Sequence, residues 1–240
     1  MRHVIILLFV FLLLSLQAQD YSSDFYKKFI QKHEDSTEYL EKLKVFDFSN
    51  LWIYEINKRA LGFIGKNYQK IDMHINKIIR NELDKSEYLV YGKTKVKKNI
   101  CDFLGKIKIL HIRTSEHGFY SDTLFCGSLI AKYEFFEDPS QKHSGYFKGF
   151  FQSYFAIKNN KDVLHDEFWD EVDGASNYSF VGVWISYKTR KVLTCNFGQY
   201  SIPYSGDLDV SGIDFYPNPK YKKYGWDWEN PSKEDKEWWK

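Results

Sequence analysis

The side chains best spaced for chemistry lie in the last third of the chain. Asp207-Leu208-Asp209-Val210-Ser211-Gly212 sets oxygen donors at alternate positions with a glycine sixth, the opening of a D-x-D-x-S-G calcium loop. The twelfth position is Asn218, where a bidentate glutamate belongs, and the eighth, ordinarily apolar, is Asp214. A polar loop whose aspartates cap turns explains the same residues, so no metal site is assigned. His165-Asp166-Glu167 and Asp170-Glu171-Val172-Asp173 gather five acids and one histidine. Carboxylates in unlike surroundings can divide acid and base roles, which makes a hydrolase using Asp166–Asp173 one reading. A single solvated acidic surface is the other.

The rest of the reactive inventory is thin. His74, His111, His117 and His143 are scattered without the spacing of a zinc site. The chain has no G-x-S-x-G elbow, P-loop or dinucleotide fingerprint. Cys101 as a nucleophile would need an activating neighbour, and the sequence nominates none. No catalytic residue or cofactor is therefore expected. Among Cys101, Cys126 and Cys195, one disulfide would leave a thiol over. Strand phase puts Cys101 and Cys126 on opposite faces, which disfavours a bridge between them. A Cys195 bridge and buried thiols both stay open.

What would position such groups is a sheet. Tyr88–Val96, Ile100–Ile109, Phe125–Phe135 and Gly145–Ile157 alternate apolar and polar residues, as half-buried strands do. Their glycines, Gly92, Gly105, Gly127 and Gly149, fall on the apolar face, where tight curvature or close backbone approach calls for them. Phe180–Tyr187 carries Gly182 and is apolar on both faces, so its phase is ambiguous. Further strands are expected at Leu51–Ile56, Ala60–Ile64, Lys70–Ile79 and Lys191–Phe197, with turn signals between many of them. Short connections between successive strands imply a meander, and this many can curl until the edges meet. The expected fold is mainly β: an antiparallel meander barrel of about eight to nine strands, with short N-terminal helices and an irregular aromatic C-terminal tail. A two-sheet sandwich fits the same strands. Ser23 is expected to cap a first helix carrying Phe25 and Phe29, and Asp35 or Ser36 a second with Tyr39, Leu40 and Leu43. Both are too short to stand alone and should pack on or plug the sheet.

Arg2 and His3 precede an uncharged apolar run, Val4–Leu14, and a small residue, Ala18, at a plausible cut site. This is the pattern of an export signal, and the run is too short to span a bilayer. The expected organisation is 1–18 signal peptide, 19–50 helical segment, 51–203 barrel and 204–240 an extension packed on it. The product is expected to be exported, periplasmic or secreted, with no stable membrane span after cleavage. Lysine and arginine total 34 against 32 acids, a balance that gives no support for bulk attraction to nucleic acid. Aromatic residues make up 19% of the chain, enough to fill a core without metals or many disulfides. The tail tryptophans Trp226, Trp228, Trp238 and Trp239 could form a contact surface, but burial is the favoured reading.

Tyr91-Gly92-Lys93-Thr94-Lys95-Val96, Cys101-Asp102-Phe103-Leu104-Gly105, Phe180-Val181-Gly182-Val183-Trp184 and Ser205-Gly206-Asp207-Leu208-Asp209 together resemble exported bacterial β-proteins of unassigned activity, over most of the chain after Leu51. In architecture alone the chain resembles lipocalins and avidins. Lipocalins carry G-x-W near the first strand, whereas Gly182-Val183-Trp184 falls near the end. The resemblance implies a fold and brings no activity.

A barrel of this size either fills with side chains or holds one small ligand. If it binds, the ligand-lining set is Thr94, Phe103, Tyr133, Phe147, Phe151, Phe155 and Trp184. The leading expectation is a non-enzymatic exported binding protein with a small apolar ligand inside, or a partner at the rim. A protein-interaction or inhibitor role, of the immunity type, and the hydrolase remain as alternatives.

Overall fold

A computed structural model of the protein describes residues 21–53, 60–115, 122–166, 177–199, 201–211, 215–227 and 237–240. The expected leader and most of the acidic stretch after Asp166 lie outside them. Ten antiparallel strands follow in chain order: β1 (Leu61–Ile64), β2 (Gln69–Lys70), β3 (Asp72–Arg80), β4 (Glu87–Val96), β5 (Asn99–Ser115), β6 (Thr123–Glu137), β7 (Gly145–Lys158), β8 (Val163–His165), β9 (Asn177–Ser186) and β10 (Val192–Gln199). The hydrogen-bonded order is β2-β1-β10-β9-β7-β6-β5-β4-β3, with β8 paired to the end of β7. Only Ile71 separates β2 from β3, and its N–H donates to the Gly62 carbonyl at 3.0 Å. Both ends of the path are therefore one length of chain, residues 69–80, bonded first to β1 and then to β4. The meander curls until it meets itself, as the strand pattern predicts.

Alternation sorts the side chains. Tyr88, Val90 and Thr94 on β4, Phe103 and Ile107 on β5, Leu129, Tyr133 and Phe135 on β6, and Phe147, Phe151 and Phe155 on β7 all lie in the interior with almost no accessible surface. On β9 the inner face carries Phe180 and Gly182, directly against Phe151 and Gly149. Its outer face is also buried, at Val181 and Val183, because the first helix (α1, residues 21–32) crosses the outside of the sheet. Ser22 Oγ donates to the Val181 carbonyl at 3.5 Å, Tyr26 packs on Phe150, and Lys32 Nζ donates to the Tyr154 hydroxyl at 2.7 Å. A strand covered on both sides has no polar face to reveal its phase.

Gly149 and Gly182 stand opposite each other. A Cβ on Gly149 would fall on the Val181 carbonyl oxygen and lie 2.6 Å from the Gly182 Cα. Only two bare backbones fit there, with the Tyr133 ring above them. This is the close approach that the strand glycines imply.

Three local expectations need correction. Residues 21–32 are helical with Ser23 inside the helix rather than capping it. The second helix, α2 (Leu40–Leu43), has no side-chain cap from its own N-cap residue, Tyr39; Glu38 Oε1 accepts the Leu40 N–H instead, at 2.9 Å. The strand expected at Leu51–Ile56 begins as a helical turn, α3 (Asn50–Ile53), with the remainder outside the described residues. A short apolar run does not distinguish strand from helix by period; here the Ser49 N–H and hydroxyl both bond Asp47 Oδ1, starting a turn just ahead of Leu51.

That segment plugs one end of the barrel. Leu43, Phe48, Leu51 and Trp52 are fully buried in the main core, with Trp52 on Tyr88 and Phe151 and Phe48 on Phe155. The C-terminal extension forms a second core outside β1: Phe63, Ile202, Leu208, Phe215 and Trp226. Trp226 is buried, its Nε1 donating to the Tyr68 carbonyl at 2.6 Å. Trp239 stacks on His74, ring centroids 4.1 Å apart.

Candidate functional site

Successive turns of a meander alternate between the two ends of the barrel. The β1–β2, β4–β5, β6–β7 and β9–β10 turns share one end, here called the hairpin mouth, opposite the plug. Just beneath it lies Glu137, the last residue of β6 and on that strand's inward face. The side chain is 4% exposed. Its Oε1 accepts from the Thr94 hydroxyl of β4 at 2.5 Å. Its Oε2 accepts from the Gly145 N–H of β7 at 2.8 Å and from Trp184 Nε1 of β9 at 2.9 Å. One carboxyl thus ties four strands together. All three donors are neutral, and no lysine, arginine or histidine among the described residues pairs with it. Burial raises its pKa above the ordinary carboxylate value; the three hydrogen bonds pull it down but do not prevail.

Cys101 stands directly across from Thr94. Burial, and then the Glu137 charge, push its thiol up to about 11. Asn99 Nδ2 donates to the sulfur at 3.2 Å. Such a group is a packed thiol and not a ready nucleophile. The three cysteines are buried and outside any disulfide, with Cys101 and Cys126 on opposite faces. The Gln141 side chain joins the β4–β5 and β6–β7 hairpins, accepting the Asp102 N–H and donating to Asp102 Oδ2, both at 2.8 Å. Around the mouth, Met73, Val96, Trp184 and Leu193 are only partly buried.

The seven residues expected to line a ligand divide by depth. Thr94 and Trp184 meet at Glu137, and Phe147 lies directly opposite Trp184 on the adjacent strand. Phe103, Tyr133, Phe151 and Phe155 lie deeper and touch other rings: Phe103 on Phe135, Tyr133 on Phe180, Phe151 on Phe180 and Trp52, Phe155 on Phe48. With accessible surface at or below 1%, these four are packed among the other rings of the core. The Tyr133 hydroxyl has no hydrogen-bond partner among the described residues, and burial raises its pKa well above 10.

At the plugged end, His165 and Asp166 are buried rather than part of a solvated acidic surface. Phe155 pairs with His165 through β8, a strand that the sequence does not announce. His165 Nε2 lies 2.8 Å from the Leu51 carbonyl, and Nδ1 lies 3.5 Å from Ser153 Oγ, which donates to Asn177 Oδ1 at 3.0 Å. Ser153 has no accessible surface, so this group latches the plug onto the sheet. Glu167 to Asp173 lie outside the described residues. In the candidate calcium loop, Asp207 pairs with Lys220 and accepts the Tyr221 hydroxyl, while Asp209 Oδ1 accepts the Ser211 and Tyr216 N–H groups. Gly212 and Asp214 are outside the described residues, among which no three metal-ligating side chains converge. Asp209 caps a turn, whereas Asp207 is held by the side chains of Lys220 and Tyr221.

Glu137 does not stand out in the sequence: Glu137-Asp138-Pro139-Ser140 reads as a turn signal, although Glu137 continues the inward parity of Leu129, Ala131, Tyr133 and Phe135. No family model, curated protein or solved structure matches the chain.

Proposed function

We propose that this is an exported, non-enzymatic binding protein that takes its ligand at the hairpin mouth rather than in the barrel's centre. The observation that carries the reading is Glu137, a buried carboxyl that among the described residues is held only by neutral donors, beneath a partly buried apolar rim. A buried charge is costly when no opposite charge compensates it. A ligand with an apolar body and a cationic head would satisfy both parts: the body on Met73, Val96, Leu193 and the Trp184 indole, the head against the carboxylate. The filled interior favours the rim over the centre, because the deep aromatic rings leave no space to line. The export pattern of the first 18 residues supports the location.

Decylammonium supplies this chemistry in its simplest form. Titration calorimetry, with tryptophan fluorescence as a second readout, should show saturable binding of decylammonium and not of decanoate. Glu137→Gln should weaken it about tenfold or more, as expected for loss of a charge-assisted contact. Equal binding by the wild-type and substituted proteins would overturn the reading, as would no binding by the wild type.

A further inference from the structure

The near-neutral total charge conceals a sorting of charge by end. At the hairpin mouth the turns carry Lys66, the Lys97-Lys98 pair, Lys142, and Lys188, Arg190 and Lys191, against the single acid Asp138. All seven cations are exposed, and none is in an ion pair among the described residues. At the plugged end the described turns carry Glu82, Asp84, Asp122 and Asp162 against Lys85 and Lys161. The sheet next to the basic turns is also unusual on its outer face. Tyr91 stands opposite Leu104, Leu104 opposite Phe136, Phe136 opposite Tyr146, and Tyr146 opposite Ile185, one line across five strands. Leu104 is 66% exposed and Phe136 48%. Phe136, Tyr146 and Tyr187 stack in succession at 5.7 and 6.0 Å, carrying the line to the edge of the β9–β10 turn.

We propose that the hairpin end docks on a lipid bilayer bearing anionic headgroups. The barrel lies tilted onto this outer wall, so that the Leu104–Phe136–Tyr146 line faces the bilayer at the boundary of the acyl region and the basic turns beside it reach the headgroups. Lysine and arginine next to exposed aromatic and aliphatic side chains is the composition of interfacial binding. A polyanion such as nucleic acid would use the cations and have no use for the apolar line. Among the described residues no helix is long and apolar enough to cross a membrane, and this contact is peripheral. It stands independently of the Glu137 reading, since none of its residues touches that carboxyl.

Co-sedimentation of the full chain with vesicles tests it. Binding should be strong on phosphatidylglycerol-rich vesicles, weak on phosphatidylcholine alone, and reduced by salt, as for exposed charges. The apolar stretch Val4–Leu14 is common to every variant, so phosphatidylcholine sets the baseline. The joint variant Lys66→Glu, Lys98→Glu, Lys142→Glu and Lys188→Glu avoids the left-handed positions Lys97 and Arg190. It should lose roughly a hundredfold or more in affinity for the anionic vesicles. Leu104→Ser with Phe136→Ser, both at exposed sites, should lose about tenfold while keeping the salt dependence. Unchanged vesicle binding in either variant overturns the proposal. So does tighter binding to duplex DNA than to vesicles, with no effect of the two serines.

Discussion

The two ends of this barrel are closed by opposite chemistry. At one, the plug inserts Leu43, Phe48, Leu51 and Trp52 among the interior rings, and its polar latch, His165 on the Leu51 carbonyl, involves a backbone acceptor. At the other, short turns leave a partly buried apolar rim and a carboxyl that no cation among the described residues pairs with. Burying apolar surface stabilises at about 25 cal/mol per Å², whereas burying an uncompensated charge opposes folding. The plugged end is therefore built for stability. The mouth retains a group that stability alone would not select, and this contrast is the ground for proposing that the ligand binds there.

The plug gives the largest expected effect. Trp52 is 1% exposed and packs on both Tyr88 and Phe151. Trp52→Ala should cost about 3–5 kcal/mol, the usual loss for a buried aromatic truncated to alanine, read from the midpoint of urea unfolding. A cost below about 1 kcal/mol would place the plug outside the cooperative core and break the contrast at its stable end.

Glu137→Gln tests the other end, with the opposite sign. The folded-state pKa of Glu137 lies above its unfolded value, near 4.5, so between the two values the folded protein binds the extra proton. The stability this contributes is fully present below pH 4.5 and is lost as pH rises through the folded pKa. Above the folded pKa the ionised carboxylate counts against the fold. Glutamine keeps the shape without the charge, and the Thr94 hydroxyl can turn to accept from its amide. The variant should be about 1 kcal/mol more stable at neutral pH, with the gain vanishing in acid, as measured by thermal unfolding at both pH values. Destabilisation at neutral pH would mean that the three neutral donors already satisfy the charge, removing the reason to expect a cationic ligand.

Much of this contrast is written in the sequence, and the missing parts have physical causes. The alternation of β7 gives its start at Gly145 and its end to within one residue of Lys158, and places Phe147, Phe151 and Phe155 inside. It does so because Lys148, Gln152 and Lys158 recur on the outer face, although Tyr154 and Ala156 on that face are also buried. The phase of β9 stays hidden because α1 covers the face that should have been polar. The helical turn at Asn50–Ile53 is lost for a related reason: adjacent Leu51 and Trp52 are both buried, and neither period shows in so short a run. At the site, Thr94 and Trp184 are legible as inward polar-bearing groups. Glu137 is not, because an acid followed by Asp138-Pro139 reads as the solvated start of a turn. Its burial is decided by donors on three other strands.

Between the two ends, Tyr133 offers the smallest and most local measurement. Its hydroxyl sits over the Gly149–Gly182 pair, fully buried and without a hydrogen-bond partner among the described residues. An unpaired buried hydroxyl costs about 1–3 kcal/mol, and removing one oxygen leaves a gap too small to offset that fully. Tyr133→Phe should therefore stabilise the protein by about 1 kcal/mol and do so equally at acid and neutral pH, because the phenol stays protonated throughout. The flat pH response separates this gain from that of Glu137→Gln. A loss of stability would mean that the hydroxyl is held after all, by a water lodged between the two bare backbones. The deep barrel would then contain polar space, and the contrast between a filled centre and a functional mouth would have to be redrawn around it.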